Sequence, residues 1–212
     1  MRKFLSFIFV VLFLVGCSTK SSDSLYNLPP MAWYDQIMED IRTADFDAAK
    51  VHYTQFASEH IASPLLEPTL MILAMASADD NNYIDANEYL NEYIRKFGTR
   101  DKIEHAIFLK IKANYDSFQN ANRNQILMQN SIIEINNFLI EYPKTQYRPL
   151  VETMLIKFKL SEFYLDQNII NLYNQTGRPE SAEFYQEKID NSALKDANLI
   201  PPDLPWYRKF FE

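Results

Sequence analysis

The sequence predicts an all-α protein, a right-handed superhelical array of helix pairs with about four repeats. Three observations carry that prediction. Only three glycines occur among 212 residues, far below the roughly 7% of an average chain, and sheets and phosphate-cradling loops need more. From Pro30 onward apolar residues recur three and four positions apart, the period of an amphipathic helix. The stretch ADFDAAKVHYTQF (44–56) also superposes on NNYIDANEYLNEY (81–93), with Phe46 on Tyr83, Ala49 on Ala86, Tyr53 on Leu90 and Phe56 on Tyr93. A helix pair that recurs at a fixed period buries its apolar face against the next pair, which makes a stacked array.

The first segment, MRKFLSFIFVVLFLVGCSTK, is of a different kind. Arg2 and Lys3 precede an apolar run from Phe4 to Val15 that is short for a permanent bilayer span and reads as an export signal. The plainer alternative is an uncleaved anchor with an incidental cysteine. Leu14-Val15-Gly16-Cys17 resembles the lipobox of bacterial lipoproteins. That resemblance implies a signal peptide over 1–16, cleavage before Cys17 and acyl chains on Cys17; more than one chain makes such an anchor stable. Ser18 after the cysteine, where an aspartate would retain the protein at the inner membrane, implies passage to the outer membrane. Residues 17–29, Ser-rich and ending in Pro29-Pro30, form a flexible tether with a stiff finish.

The repeat domain is expected over 30–190. Trp33, Ile37, Met38 and Ile41 share one face of a first helix. Asp45 is placed to cap a second helix bearing Ala48, Ala49, Tyr53 and Phe56. A third carries Leu66, Leu70, Leu73, Ala74 and Ser77. A fourth carries Ala86, Leu90, Tyr93 and Phe97, and Gly98 is expected to end it in a left-handed cap. Residues 102–118 and 124–141 make a third pair with Met128 where the repeat wants a small residue. A long helix over 147–175 follows. Gly177 then turns the chain into a last short helix from Pro179, a residue suited to a helix's first turn. GRPESAEFYQEKI (177–189) fits the repeat frame with Ala182 in the small position. Helix pairs of this period are the signature of tetratricopeptide-like repeats, with the small alanine permitting close helix approach and Trp33 at the large aromatic position.

Several chemistries are excluded. The formal net charge is −7, and loss of 1–16 would remove two cations and no acid, so the mature chain is a poor partner for nucleic acid. One cysteine permits no intramolecular disulfide and no Cys-rich zinc site. His52, His60 and His105 form no ligand cluster. DDNNYIDANE (79–88) lacks the loop glycine and terminal glutamate of a calcium loop and reads as turn residues with an N-cap. No nucleophile elbow, phosphate loop or dinucleotide fingerprint occurs. No catalytic residue, metal site or cofactor is expected.

What remains is surface. In the first helices of repeats one and two, Met31, Tyr34 and Met38, then Met71 and Met75, turn toward the groove that such arrays use for peptides. Methionine adapts to varied apolar partners. The alternative is that the same residues complete the core between helices, and that reading is the favoured one. The tail IPPDLPWYRKFFE (200–212), part of a Pro/aromatic segment 191–212, crowds Trp206, Tyr207, Phe210 and Phe211 into seven residues. It has three readings: a cap for the last repeat, a partner-docking segment, or a contact with lipid headgroups.

The lipobox, the Pro-Pro start, the helix pairs and FLIEYPKTQY (138–147) before a very long helix together resemble the BamD family, the lipoproteins of the outer-membrane β-barrel assembly machine. The likeness covers about 28–190, and Tyr142-Pro143-x-Thr145-x-Tyr147 is its most telling part. It implies an outer-membrane lipoprotein on the periplasmic face. Its partners would be the BamA-type barrel subunit, through the POTRA domains, and unfolded outer-membrane β-barrel proteins whose aromatic signals the N-terminal repeats receive. Family members usually carry five repeats; here about four are followed by 191–212. The region set against the barrel subunit is therefore given as the last helix pair and tail: Tyr173, Arg178, Tyr185, Trp206 and Tyr207. A different tetratricopeptide lipoprotein, scaffolding cell-envelope or cell-wall complexes, is the alternative.

Overall fold

The structure is a computed structural model of the chain and describes residues 25–196. The expected signal segment, Cys17, most of the tether, and Trp206 and Tyr207 lie outside those residues. Eight α-helices occur among the described residues: α1 (Pro30–Arg42), α2 (Phe46–Glu59), α3 (Leu66–Asp79), α4 (Tyr83–Phe97), α5 (Arg100–Ser117), α6 (Gln125–Glu141), α7 (Arg148–Gln175) and α8 (Pro179–Asp190). They pack as consecutive pairs, and the chain divides into two compact units, one ending at Ser63 and the other beginning at Pro64.

The first unit holds α1 and α2. Helix α1 begins at Pro30, whose missing N–H costs nothing in a first turn. Trp33, Ile37, Ala49, Tyr53 and Phe56 form its core. The Trp33 indole N–H donates to Glu59 Oε2 at 2.8 Å, and the Asn27 N–H donates to Glu59 Oε1 at 3.2 Å. These bonds lower the Glu59 pKa against the opposing effect of desolvation. The His60 ring also bonds the Leu28 carbonyl at 2.7 Å, so the chain entering α1 is tied to the end of α2. Asp40 is buried, and it is satisfied by Gln36 at 2.9 Å and by His52 at 2.6 Å.

The second unit holds α3 to α8. Leu66, Leu70, Leu73, Ala74 and Ser77 are buried on α3, and Ala86, Leu90 and Tyr93 on α4, the faces their spacing implied. The central cluster joins α5, α6 and α7 through Phe108, Ile111, Phe118, Met128, Ile135, Phe138, Val151, Met154 and Phe158. Phe158 makes T-shaped contacts with Tyr115 and Phe118. Met128 occupies the position held by Ala49, Ala86 and Ala182 in the other pairs, four residues past the N-cap, and is fully buried there. The large side chain is accommodated as core.

Three of the four pairs turn through one backbone motif. After α1, the Asp45 N–H bonds the Asp40 carbonyl and the Ala44 N–H bonds that of Ile41; after α3, Asn82 bonds Ser77 and Asn81 bonds Ala78. After α7, Arg178 bonds Tyr173 at 2.9 Å and Gly177 bonds Asn174 at 3.4 Å. This is the Schellman arrangement, whose penultimate residue is left-handed: Ala44 has φ 57°, Asn81 63° and Gly177 71°. Asp45 and Asn82 then cap the following helices through the N–H of Ala48 and Asp85, as expected for Asp45. The third pair differs. Its connection, 118–124, is built on asparagine, with Asn124 Oδ1 accepting from the Gln119 N–H at 3.3 Å and Asn120 Oδ1 from the Arg123 N–H at 3.0 Å.

Gly98 corrects the sequence reading. Its φ is −64° and its ψ 110°, extended rather than left-handed. The glycine is required by space: a Cβ there would run into the Ile94 carbonyl oxygen and lie 2.8 Å from Ile103 Cγ1. It brings the start of α5 down onto the end of α4.

Candidate functional site

The Tyr142–Tyr147 turn sets α7 on its course. Tyr142 and Thr145 are buried. Thr145 Oγ1 accepts from the Tyr147 N–H at 3.1 Å, and Arg148 donates to the Pro143 carbonyl at 2.9 Å. Tyr147 lies on Phe108 of α5 and its hydroxyl meets His105 Nδ1 at 2.8 Å. The residues singled out in this motif are thus a clasp between the third and fourth pairs. All three histidines are engaged in such structural bonds. Among the described residues no group of His, Cys, Asp and Glu could hold a metal ion, and no helix is long and apolar enough to cross a membrane.

The groove candidates fall in both units. On α1, Met31 is 56% exposed while Tyr34 and Met38 are half-buried. On α3, Met75 is 50% exposed and Met71 half-buried. None is sealed in the core, in contrast to Met128 and Met154.

Met75 also walls a hollow of about 160 Å³ between α3 and α5. Ala74, Ala78, Leu90, Leu109 and Ala113 make its apolar lining, and Asp79, Lys112 and Asp116 stand among them. Lys112 Nζ is 2.6 Å from Asp116 Oδ2, a bond that holds the lysine's pKa above its ordinary value. Small-molecule pockets run from about 300 Å³ upward, so this one suits a single protruding apolar or aromatic side chain. The α5 contributors were missed in the sequence. Their spacing (109, 112, 113, 116) is one helix face, and carrying the frame of repeat two into the third pair would have found them.

At the other end of the second unit, the partner candidates Tyr173 and Tyr185 meet across α7 and α8 with ring centroids 5.9 Å apart. Phe184, not singled out in the sequence, adds a third ring, edge-on to Tyr185 at 5.4 Å and 66% exposed. Arg178 is exposed at the elbow. Lys188 fixes α8 against α7, bonding Glu162 at 2.9 Å and Asp166 at 2.8 Å. Burial pushes the Asp166 carboxyl above the usual range, against the pull of Lys188.

The arrangement presents helix faces, a side-chain-sized hollow and an aromatic terminus, with no reacting constellation. A family model described as "YfiO: Outer membrane lipoprotein" matches residues 27–183. The chain is also 34% identical, over 217 aligned positions covering all of it and 99% of the relative, to the "Outer membrane protein assembly factor BamD" of Helicobacter pylori (strain ATCC 700392 / 26695). The chain belongs to the BamD family of outer membrane lipoproteins. The family-model match runs from just ahead of α1 into α8 and includes the Tyr142–Tyr147 clasp, so both the α3–α5 hollow and the Tyr173 elbow lie within its extent. BamD proteins are assembly factors without enzymatic activity, in keeping with the sequence reading.

Proposed function

We propose that the protein is a lipid-anchored scaffold of outer-membrane β-barrel assembly. It is held to the periplasmic face through acyl groups on Cys17, following a signal peptide over 1–16 and a tether over 17–29. Its α3–α5 hollow receives an apolar or aromatic side chain of an unfolded barrel protein, with Met71 and Met75 on α3 adapting to sequence. Met31, Tyr34 and Met38 offer a matching surface on α1. The α7–α8 end, through Tyr173, Arg178 and Tyr185, engages the POTRA region of a BamA-type barrel subunit. The observation that carries this reading is the hollow itself: an apolar floor with Met75 on its wall, on the helix that the repeat frame turns toward a peptide.

The test is recovery of partners with the full lipoprotein. Co-purification of a POTRA-bearing barrel subunit, and loss of barrel proteins on depletion, are expected. If neither occurs, the role of a cell-envelope or cell-wall scaffold replaces this one. Met71→Glu with Met75→Glu abolishes crosslinking to an aromatic-ended peptide while leaving the helical signal intact; unchanged crosslinking removes the hollow from the proposal. Cys17→Ala releases the protein from the outer-membrane fraction, and continued fractionation there contradicts the anchor.

A further inference from the structure

Helix α8 has one face with no counterpart. Ala182 and Ile189 are its buried residues. Opposite them stand Glu180, Glu183, Phe184 and Glu187, all exposed and spaced i, i+3, i+4 and i+7, so that they form one outward stripe. Phe184 is at the centre, 66% exposed, and leads through Tyr185 to Tyr173. The side chains of Glu180, Glu183 and Glu187 make no ion pair among the described residues, and Lys188 of the same helix is engaged with Glu162 and Asp166. The face is thus an aromatic ledge ringed by three unneutralised carboxylates.

We infer that this face is covered by the chain's own segment Trp206–Phe211, which lies outside the described residues, with Arg208 and Lys209 against the three glutamates and the flanking aromatics on Phe184. Two arguments select this occupant. The first is charge: WYRKFF places two adjacent cations between two pairs of aromatic residues, the complement of an aromatic ringed by acids. Such complementarity sets register and rejects wrong partners. The second is reach. Asp196 and Arg208 are twelve positions apart, a span of up to about 40 Å when extended, whereas α8 is about 18 Å long at 1.5 Å per residue. A return along the whole helix is therefore within range. The inference does not depend on barrel assembly, since it concerns one chain alone.

A photo-reactive benzoylphenylalanine in place of Phe184, in the full-length lipoprotein, tests it. Cells expressing a mixture of isotopically light and heavy chains are irradiated and the adducts mapped by mass spectrometry. Expected are adducts joining position 184 to residues 206–211 of the same chain. Arg208→Glu with Lys209→Glu lowers their yield about fivefold, the scale of two exposed ion pairs lost. Glu180→Lys, Glu183→Lys and Glu187→Lys in that same chain restore it. Far-UV circular dichroism is unchanged throughout. Adducts only to another protein, a second copy or lipid overturn the inference, as does absence of any adduct or a yield indifferent to charge reversal.

Discussion

Tyr147 lies flat on Phe108, with ring centroids 4.0 Å apart and planes 7° from parallel. The pair joins the turn before α7 to the middle of α5, and the Tyr147 hydroxyl adds the bond to His105. Tyr147→Phe keeps the stack and loses the hydrogen bond, at about 1 kcal/mol. Tyr147→Ala loses both and opens space beside Phe108, at about 3 kcal/mol. Urea unfolding of the two variants measures the difference; equal losses would mean that the stack contributes nothing beyond the hydroxyl.

The two described glycines respond differently to a methyl group. Gly177 has open space around its Cβ position, so Gly177→Ala costs only the left-handed backbone, about 1 kcal/mol. Gly98→Ala meets the Ile94 carbonyl oxygen and Ile103, and the α4–α5 junction must shift, at about 2–3 kcal/mol. The reverse holds at the first elbow. Ala44 sits at φ 57°, and Ala44→Gly relieves that strain, raising stability by about 0.5 kcal/mol after the entropic cost of glycine. Chemical denaturation of the three variants reads both sign and order.

Glu67 makes the second unit sensitive to acid. Its carboxylate takes Lys102 at 2.5 Å and the Tyr93 hydroxyl at 3.0 Å, and the Lys102 bond above all holds its pKa below the usual range. Burial, reinforced by Glu67, pushes the Tyr93 phenol up to about 12, so the tyrosine stays a donor throughout. A depressed carboxylate stabilises the fold above the unfolded pKa, near 4.3, and loses that contribution as pH falls through the folded value. Glu67→Gln therefore costs about 0.5 kcal/mol at pH 7, the range of a screened pair, and progressively less as the pH falls through the lowered folded pKa. A cost that does not shrink on acidification would contradict the assignment.

Asp166 carries the opposite sign. Its folded pKa is raised, so its contribution is most favourable below the unfolded value, near 3.9, and is lost as pH rises through the folded one. Asp166→Asn consequently costs under about 1 kcal/mol at pH 7, since Lys188 keeps Glu162. Lys188→Met leaves the buried carboxylate beside Glu162 without a cation and costs about 2 kcal/mol, below the fully buried case because the lysine is 41% exposed. Thermal melts at pH 7 and pH 4 separate the two, with the Lys188→Met defect easing at the lower pH.

Helix positions were legible because local chemistry and packing agree. Asp45 caps where an aspartate precedes an apolar period, and Pro30 and Pro179 each occupy a first helical turn. The repeat frame found the buried faces of α2, α3 and α4 for the same reason. Gly98 misled because a left-handed cap and a close backbone approach both select glycine, and only coordinates tell them apart. Phe184 was passed over because the frame tracks inward positions, whereas its importance lies in being outward. The α3–α5 hollow needs residues from two repeats, so Met75 could be named alone but not with Leu109 and Ala113. The division at Ser63 left no sign beyond Ser63-Pro64, which also marks an ordinary turn.

The stripe on α8 has a consequence for the protein in quantity. Stacked helix pairs tend to continue, since the open end of one copy resembles the surface on which the next would be laid. A second molecule brought to this end, α8 against α8, sets Glu180, Glu183 and Glu187 against the same three glutamates around Phe184. Wherever the stripe is bare, mutual repulsion there disfavours a symmetric pairing of two copies, so a surface receptive to a basic aromatic segment is closed to its own likeness.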